Sequence, residues 1–265
     1  MKLAINLAAI FAAATLAVSV SAALAGVVVE EQEVVNRGGQ PVSRSRTIMI
    51  EGNKQKIVSD RDIMVTDLDR GVMLLISPTG KTYSEMPFPP KGMSAPVAAM
   101  ANVKFTKSGT HQTIDHYKCD NYAGVSHMMG TQSNITECFS KSAPGAAEFA
   151  AFQKQMVRKL QGTGAAAMVN NVPTGVPLAS ESTTSMKGLT IPGMPPDQAQ
   201  KLSQMMASRP PITSKTTVTK ISTRSIPDSE FAAPAGYTKQ TPQTAPPAVS
   251  SSGRSGNPSA HSLPE

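Results

Sequence analysis

Few side chains in this 265-residue sequence stand in a pattern that could do chemistry. The run 124–128 (GVSHM) begins like the nucleophile turn of a hydrolase, in which a serine lies between a strand and a helix. It lacks the closing glycine and the following helix, so we interpret Ser126 as a strand or surface serine. The run 67–71 (DLDRG) begins like a calcium loop, but the later ligands are missing and a hairpin turn explains it. These patterns predict no catalytic residue.

Copper is the sharpest metal hypothesis. Histidine and methionine lie close together in one stretch, and imidazole with thioether ligands suits Cu(I) in an exported protein. The methionines are nevertheless spread along the whole chain, and this flexible side chain commonly fills gaps in cores. Copper binding is therefore a lower-ranked hypothesis, and no cofactor is predicted. The residues concerned are His116, His127, Met128 and Met129.

The sequence contains two cysteines, Cys119 and Cys138. An even number of cysteines in an oxidising compartment points to a disulfide. The alternative is a redox-active or metal-binding thiol pair, for which the usual CxxC spacing is missing. We predict a structural disulfide that ties neighbouring strands of one sheet.

The N-terminus predicts export. Met1 and Lys2 precede an apolar run and the small-residue triplet 23–25 (ALA), which is the order found in secretory signal peptides. An uncleaved membrane anchor is the alternative, because the run approaches the length that spans a bilayer. The alanine content and the triplet favour cleavage after Ala25. We therefore expect a periplasmic or secreted protein with no stable membrane span after cleavage.

The net charge is +7, and the lysines and arginines that carry it are scattered along the chain. A nucleic-acid interface would concentrate basic residues in one patch and place aromatic residues among them. The observed distribution predicts solubility or mild attraction to anionic surfaces. It predicts no nucleic-acid partner.

Short apolar runs alternate with turn signals from residue 27 onward, which is typical of an antiparallel meander. The clearest part is 48–86, where we predict four or five strands in series. Phe231 and Tyr237 are expected to anchor the end of the domain. Further strands are predicted at 103–106, 112–125, 134–140, 175–186 and 212–225.

Two amphipathic helices are expected to interrupt the strands. The first, at 144–160, is predicted from the helical spacing of its apolar residues, with Ser142 as its cap and Pro144 in its first turn. The second, at 197–208, ends before two prolines. The predicted organisation is a signal peptide at 1–25, one β domain at 26–239, and a disordered Pro/Ser/Gly-rich tail at 240–265.

The predicted binding site is an apolar cavity between the sheet and the two helices. Methionine suits such a site because a flexible, polarizable side chain adapts to variable ligands. The alternative is that the same side chains fill an ordinary core. The predicted ligand-binding residues are Phe149, Phe152, Met156, Leu202, Met205 and Met206.

Short motifs follow one another in a specific order between residues 27 and 237. They are GNK at 52–54, GVMLLISPTGKTY at 71–83, CDNY at 119–122, GVPL at 175–178, IPDSEF at 226–231 and PAGY at 234–237. In this order the sequence resembles exported bacterial proteins of unknown function that are similar in layout to the periplasmic lipoprotein carriers of the localisation factor A type. The resemblance implies a mainly β (α+β) fold: a strongly curved antiparallel sheet, or half-open β-barrel, with two amphipathic helices on its concave side.

We therefore predict a non-catalytic exported protein that binds a hydrophobic or amphipathic ligand, such as a lipid or acyl chain, in the cavity between sheet and helices. The alternative is an envelope structural or interaction protein with a filled core, which contacts a partner protein through its edge strands or tail. A periplasmic copper-binding protein is the third hypothesis, and an enzyme is also ranked below the first two.

Overall fold

The computed structural model describes residues 25–89, 103–128, 131–163, 171–185 and 195–241. They form mainly β-strands, with two helices, α1 (Ala146–Leu160) and α2 (Pro196–Ala207), and a short 3-10 helix at Asp228–Phe231. The strands are β1 (Val27–Asn36), β2 (Val42–Glu51), β3 (Lys54–Ser59), β4 (Ile63–Asp67), β5 (Val72–Ser77), β6 (Thr82–Pro87), β7 (Thr106–Ile114), β8 (Tyr117–Met128), β9 (Thr131–Ser140), β10 (Val176–Ser185), β11 (Ile212–Thr223) and β12 (Thr238–Gln240).

The strands form one curved, open sheet in the order β12-β6-β5-β4-β3-β2-β1-β11-β10-β9-β8-β7. Neighbouring strands are antiparallel, except that β12 pairs parallel to β6. The strands β2 to β6 follow one another in both sequence and sheet, so the meander predicted at 48–86 is confirmed. The mainly β fold class is confirmed as well. The predicted signal peptide and tail lie outside the described residues, apart from residues 25, 240 and 241.

The prediction of a single strand over 112–125 is wrong, because two strands, β7 and β8, cover that range. They meet at Asp115 and His116, whose φ angles are +44° and +68°. Two successive positive φ angles are the geometry of a tight two-residue hairpin turn. The turn lacks the Asn-Gly or Asp-Gly pair that usually marks such a turn, so the residue types at this position did not predict it. The strand predicted at 103–106 overlaps β7 only at Thr106.

Strand β1 is buried on both of its faces. Val27 and Val29 belong to a core cluster that includes Phe152 of α1. Val28 belongs to a second cluster that includes Phe231. Because successive side chains of a strand point to opposite faces, β1 separates two cores, one covered by α1 and the other by the C-terminal segment 226–237.

The C-terminal segment is fastened to the meander. Phe231 is buried, and Tyr237 packs against the same cluster, as predicted. Lys56 Nζ lies 2.8 Å from Glu230 Oε2, which joins β3 to the 3-10 helix. The side chain of Lys56 is largely shielded while that of Glu230 is more open, so this ion pair mainly orients the segment.

Helix α1 begins two residues later than predicted, and Ser142 is not its cap. Gly145 occupies the N-cap position with a φ of 83° and without a side-chain hydrogen bond. A Cβ atom at this position would collide with the side chain of Val27. The helix therefore starts at a glycine because its first turn lies tightly against β1.

Helix α2 contributes little to the described core. Met205 is 55% exposed, and no described residue of this helix belongs to either core cluster. The prediction that both helices lie on the concave side of the sheet is not confirmed. Within the described ranges, neither helix has the length and apolar character needed to cross a membrane.

Candidate ligand-binding site

A pocket of about 450 Å³ lies between α1 and the sheet. Its volume falls within the range of roughly 300–1,000 Å³ that is usual for small-ligand sites. Phe149, Phe152 and Met156 of α1 form one side, the apolar wall. The opposite side is formed by strands and is rich in polar groups. This polar wall consists of Glu31, Glu33, Arg46, Glu137, Ser180, Ser214 and Thr216.

Strand register builds much of the polar wall. Glu33 of β1 pairs with Thr216 of β11, which in turn pairs with Ser180 of β10. Ser180 also pairs with Glu137 of β9. Register partners project from the same face of a sheet, so this row ends in a carboxylate on each side. Ser214 Oγ donates a hydrogen bond of 3.0 Å to Glu33 Oε1.

Glu31 and Arg46 form an ion pair within the polar wall. They are register partners on β1 and β2, and Arg46 Nε and Nη2 each lie 2.6 Å from Glu31 Oε2. The side chain of Glu31 is only 3% exposed, whereas that of Arg46 is 40% exposed. Burial raises the pKa of Glu31, and the Arg46 charge opposes that rise. The charge of Arg46 is therefore committed to a buried carboxylate.

Glu137 lacks such a partner. Within the described part of the chain, no hydrogen bond or ion pair reaches its carboxylate. Burial raises the pKa of Glu137 to about 7, the charge of Glu31 adds to the rise, and Arg46 opposes it. Near neutral pH the group is thus divided between its protonated and ionised forms, and no described protein group donates a hydrogen bond to the ionised form, which relies on the solvent that still reaches it.

Glu137 should make the protein less stable as the pH rises. Its pKa increases from an ordinary 4.5 to about 7 on folding, so between these values the native state keeps a proton that the unfolded chain has released. The stabilisation is complete below pH 4.5 and is lost as the pH rises through 7. We expect a free energy of unfolding about 2 kcal/mol lower at about pH 8 than at about pH 5, measured by urea denaturation.

Two variants test whether Glu137 causes this pH dependence of the free energy of unfolding. Glu137→Gln removes the titrating group and should flatten most of the difference. Glu181→Gln is the matched control on β10, because Glu181 is exposed and pairs with Lys215 at 2.7 Å outside the pocket. A Glu137→Gln protein that keeps the wild-type slope would show that another group is responsible.

No known protein family and no curated protein matches the sequence. Among solved structures, PNGF-II matches at 8% identity and a TM-score of 0.39, covering 82% of this chain and 31% of that one. A LolA superfamily protein from Nitrosomonas europaea matches at 7% identity and a TM-score of 0.29, covering 79% and 90%. A DUF1329 family protein from Desulfovibrio piger matches at 8% identity and a TM-score of 0.31, covering 80% and 91%.

The likeness is one of layout. The matches include a LolA superfamily protein and a family of unknown function, the two kinds of protein that the sequence resembles, so that resemblance is confirmed. This chain spans about a third of the length of PNGF-II. At such low identities and TM-scores, the matches carry no argument about ligand or activity.

The structure separates the six predicted ligand-binding residues by helix. The three on α1 line the pocket together. Leu202 and Met205 lie on α2, which supplies no described residue to the pocket. The side chain of Met206 lies outside the described part of the structure. A contribution of α2 to the binding site therefore stays a prediction. The three predicted residues of α1 lie at the pocket.

The polar wall was missed in the sequence. Glu31 and Glu33 continue the face of β1 that carries Val27 and Val29. Charged residues in phase with the buried side of a strand were therefore a usable signal for a polar site. Glu137 shows the same signal on β9, because it is in phase with Ile135 and with Phe139, which is buried and also lines the pocket.

Gln153 is a polar side chain of α1 that also lines the pocket. Its Nε2 donates a hydrogen bond of 2.7 Å to the main-chain oxygen of Val172. This contact joins α1 to the segment that precedes β10, and Val172 of that segment also lines the pocket.

The other chemical hypotheses find less support. Asp67 Oδ1 accepts hydrogen bonds from the main-chain N–H groups of Asp69 and Arg70, at 3.0 and 2.9 Å, so the run 67–71 forms the predicted hairpin turn. Ser126 lies within strand β8. The described residues contain no group of three or more His, Cys, Asp or Glu side chains able to hold a metal ion.

The copper hypothesis stays untested. His116 lies at the turn between β7 and β8, with a side chain that is 95% exposed. The side chains of His127 and Met128 and the whole of Met129 lie outside the described part of the structure.

Proposed function

We propose that this protein is a non-catalytic binding protein that holds an amphipathic ligand, such as a lipid, with its apolar part under α1. The observation that carries the proposal is the pocket of about 450 Å³ between Phe149, Phe152 and Met156 on one side and the polar wall on the other. A ligand with one apolar and one polar side removes the aromatic surface from water while keeping partners for the sheet's polar groups.

The proposed location is the periplasm or the cell exterior, after removal of residues 1–25. The signal-like N-terminus supports it, and a disulfide suits an oxidising compartment. We further propose that α1 acts as a plug on the concave side of the sheet, within a single β domain at 26–239. We also propose a disordered tail for the residues that follow β12, within the predicted range 240–265.

The pocket is tested by placing the same charge on each helix. Met156→Asp inserts a carboxylate into the apolar wall, which should weaken binding of an uncharged, environment-sensitive alkyl dye by at least about tenfold. Met205→Asp is the matched control, because Met205 is 55% exposed on α2 and outside the pocket. Fluorescence titration gives the affinities, and thermal melting checks that both variants fold.

Equal dye binding by both variants would show that the pocket under α1 is not the site. The native protein should also release a lipid or other amphipathic molecule on extraction, identified by mass spectrometry after expression in an exporting host. A wild-type protein that binds no dye and releases no ligand would favour the envelope interaction protein instead. Its exposed edge strand β7 would then be the first surface to examine.

A further inference from the structure

The charges in the pocket are unbalanced. Among the residues that the structure describes, the charged side chains that line it are Glu31, Glu33 and Glu137, with Arg46 as the cation. The guanidinium of Arg46 is held by Glu31, with both N–O distances at 2.6 Å. Arg44 lies opposite Glu33 across β1 and β2, but it does not line the pocket, and no ion pair within 4.0 Å joins the two among the described residues. Within the described residues neither Glu33 nor Glu137 forms an ion pair, and the Arg46 charge only opposes the rise in the pKa of Glu137.

Of these two carboxylates, Glu137 has the greater need for a hydrogen-bond donor. Glu33 accepts a hydrogen bond from Ser214, whereas Glu137 has no partner within the described ranges. An ionised carboxylate that has lost water needs a donor, and a cationic donor satisfies it best. The aromatic side chains of α1 leave no donor of their own to fill this role. A bound molecule can bring one.

The polar wall also disfavours an anionic ligand. An anionic head group would approach Glu137 and the buried Glu31 together, and Arg46, the cation among the described lining residues, is already paired with Glu31. Like charges in a partly dehydrated site repel strongly, so the arrangement discriminates against carboxylates and phosphates that carry no cation.

We propose that the pocket selects an amphipathic amine, whose ammonium group is bound by Glu137 and whose aliphatic chain lies against Phe149 and Met156. An ammonium offers three donors and a compact charge, which matches a single unpartnered carboxylate. The inference rests on the proposed function and narrows its ligand to a chemical class. The ammonium belongs either to a free alkylamine or to an aminolipid head group.

Three ligands with the same chain test this selectivity. Octylamine, octanol and octanoate compete with the uncharged dye at about pH 8, where Glu137 is mostly ionised because its pKa is about 7. We expect octylamine to bind at least about tenfold tighter than octanol, and octanoate to bind most weakly. In Glu137→Gln the ratio of octylamine affinity to octanol affinity should fall to about one. Glu181→Gln, which alters an exposed carboxylate outside the pocket, should keep the advantage.

The outcomes separate the inference from the proposed function. Dye binding with equal or tighter binding of octanol or octanoate overturns the amine assignment and leaves the binding pocket intact. Failure of the wild-type protein to bind the dye or any of the ligands overturns both. The comparison among ligands uses the wild-type protein, so it decides the question even if Glu137→Gln fails to fold.

A further arm identifies the source of the ammonium. Monomeric short-chain phosphatidylethanolamine and phosphatidylglycerol differ in the ammonium group, and the former should displace the dye more strongly if a lipid head group supplies it. Displacement by octylamine but by neither lipid assigns the site to free amines. Stronger displacement by phosphatidylglycerol contradicts the inference.

Discussion

Phe152→Ala should lower the free energy of unfolding by about 3 to 5 kcal/mol, the usual cost of truncating a buried phenylalanine. The side chain is 3% exposed and belongs to the core cluster that contains Val27 and Val29. Its loss removes apolar burial and leaves a cavity where α1 rests on the sheet. Urea denaturation, with the slope compared between variant and wild type, measures the change.

Phe149→Ala is the matched control on the same helix. Phe149 packs against this core but is only partly buried, so its truncation should cost clearly less. It still enlarges the pocket, and we expect its effect to fall mainly on ligand binding. Equal losses of stability for the two variants would mean that α1 does not pack on the sheet through Phe152.

Replacement of both cysteines by serine should lower the free energy of unfolding by about 3 kcal/mol in the chain-entropy account. Cys119 and Cys138 are 19 residues apart in sequence, and their Cα atoms lie 5.4 Å apart on β8 and β9. The crosslink restricts the unfolded chain, which regains that freedom when the bond is removed. Denaturation of the oxidised, the reduced and the double-serine proteins should give one high and two low stabilities.

Mass mapping of the native protein provides the independent check. It should find one crosslinked pair, and two free thiols would contradict the disulfide. The crosslink also bears on the site, because Cys138 directly follows Glu137 on β9. We therefore expect the double-serine protein to lose part of its ligand affinity as well as its stability, whereas Glu181→Gln should lose neither.

Several features were readable in the sequence because they depend on near neighbours along the chain. Short apolar runs that alternate with turns such as Gly52-Asn53 predicted the meander from β2 to β6. The helical spacing of the aromatic residues predicted α1. The disulfide was correctly predicted from the number of cysteines and from the predicted compartment. The turn at Asp115 and His116 escaped because its backbone angles, not its residue types, carry the signal.

Pattern cannot tell two amphipathic helices apart. Both α1 and α2 have an apolar stripe, and the sequence assigned both to the binding site. The structure brings α1 onto the sheet, where Gly145 permits close contact with Val27. It places Met205 of α2 in an exposed position. Which stripe is buried depends on shape and on the competing surfaces of the whole fold, so local periodicity does not reveal it.

The way in which the polar wall is assembled depends on long-range structure. β1 lies at the N-terminal end of the domain and pairs with β11 near the other end, while β10 and β9 follow beside it. This order brings Glu31 and Arg46 close to Glu137. The cavity that was predicted to be apolar therefore has one strongly charged side. Residue types and local spacing were sufficient to predict strands, a helix and a crosslink. The meeting of charges in the pocket required strands from distant parts of the chain to pair, because only the packing of all strands together sets which carboxylates lie near one another.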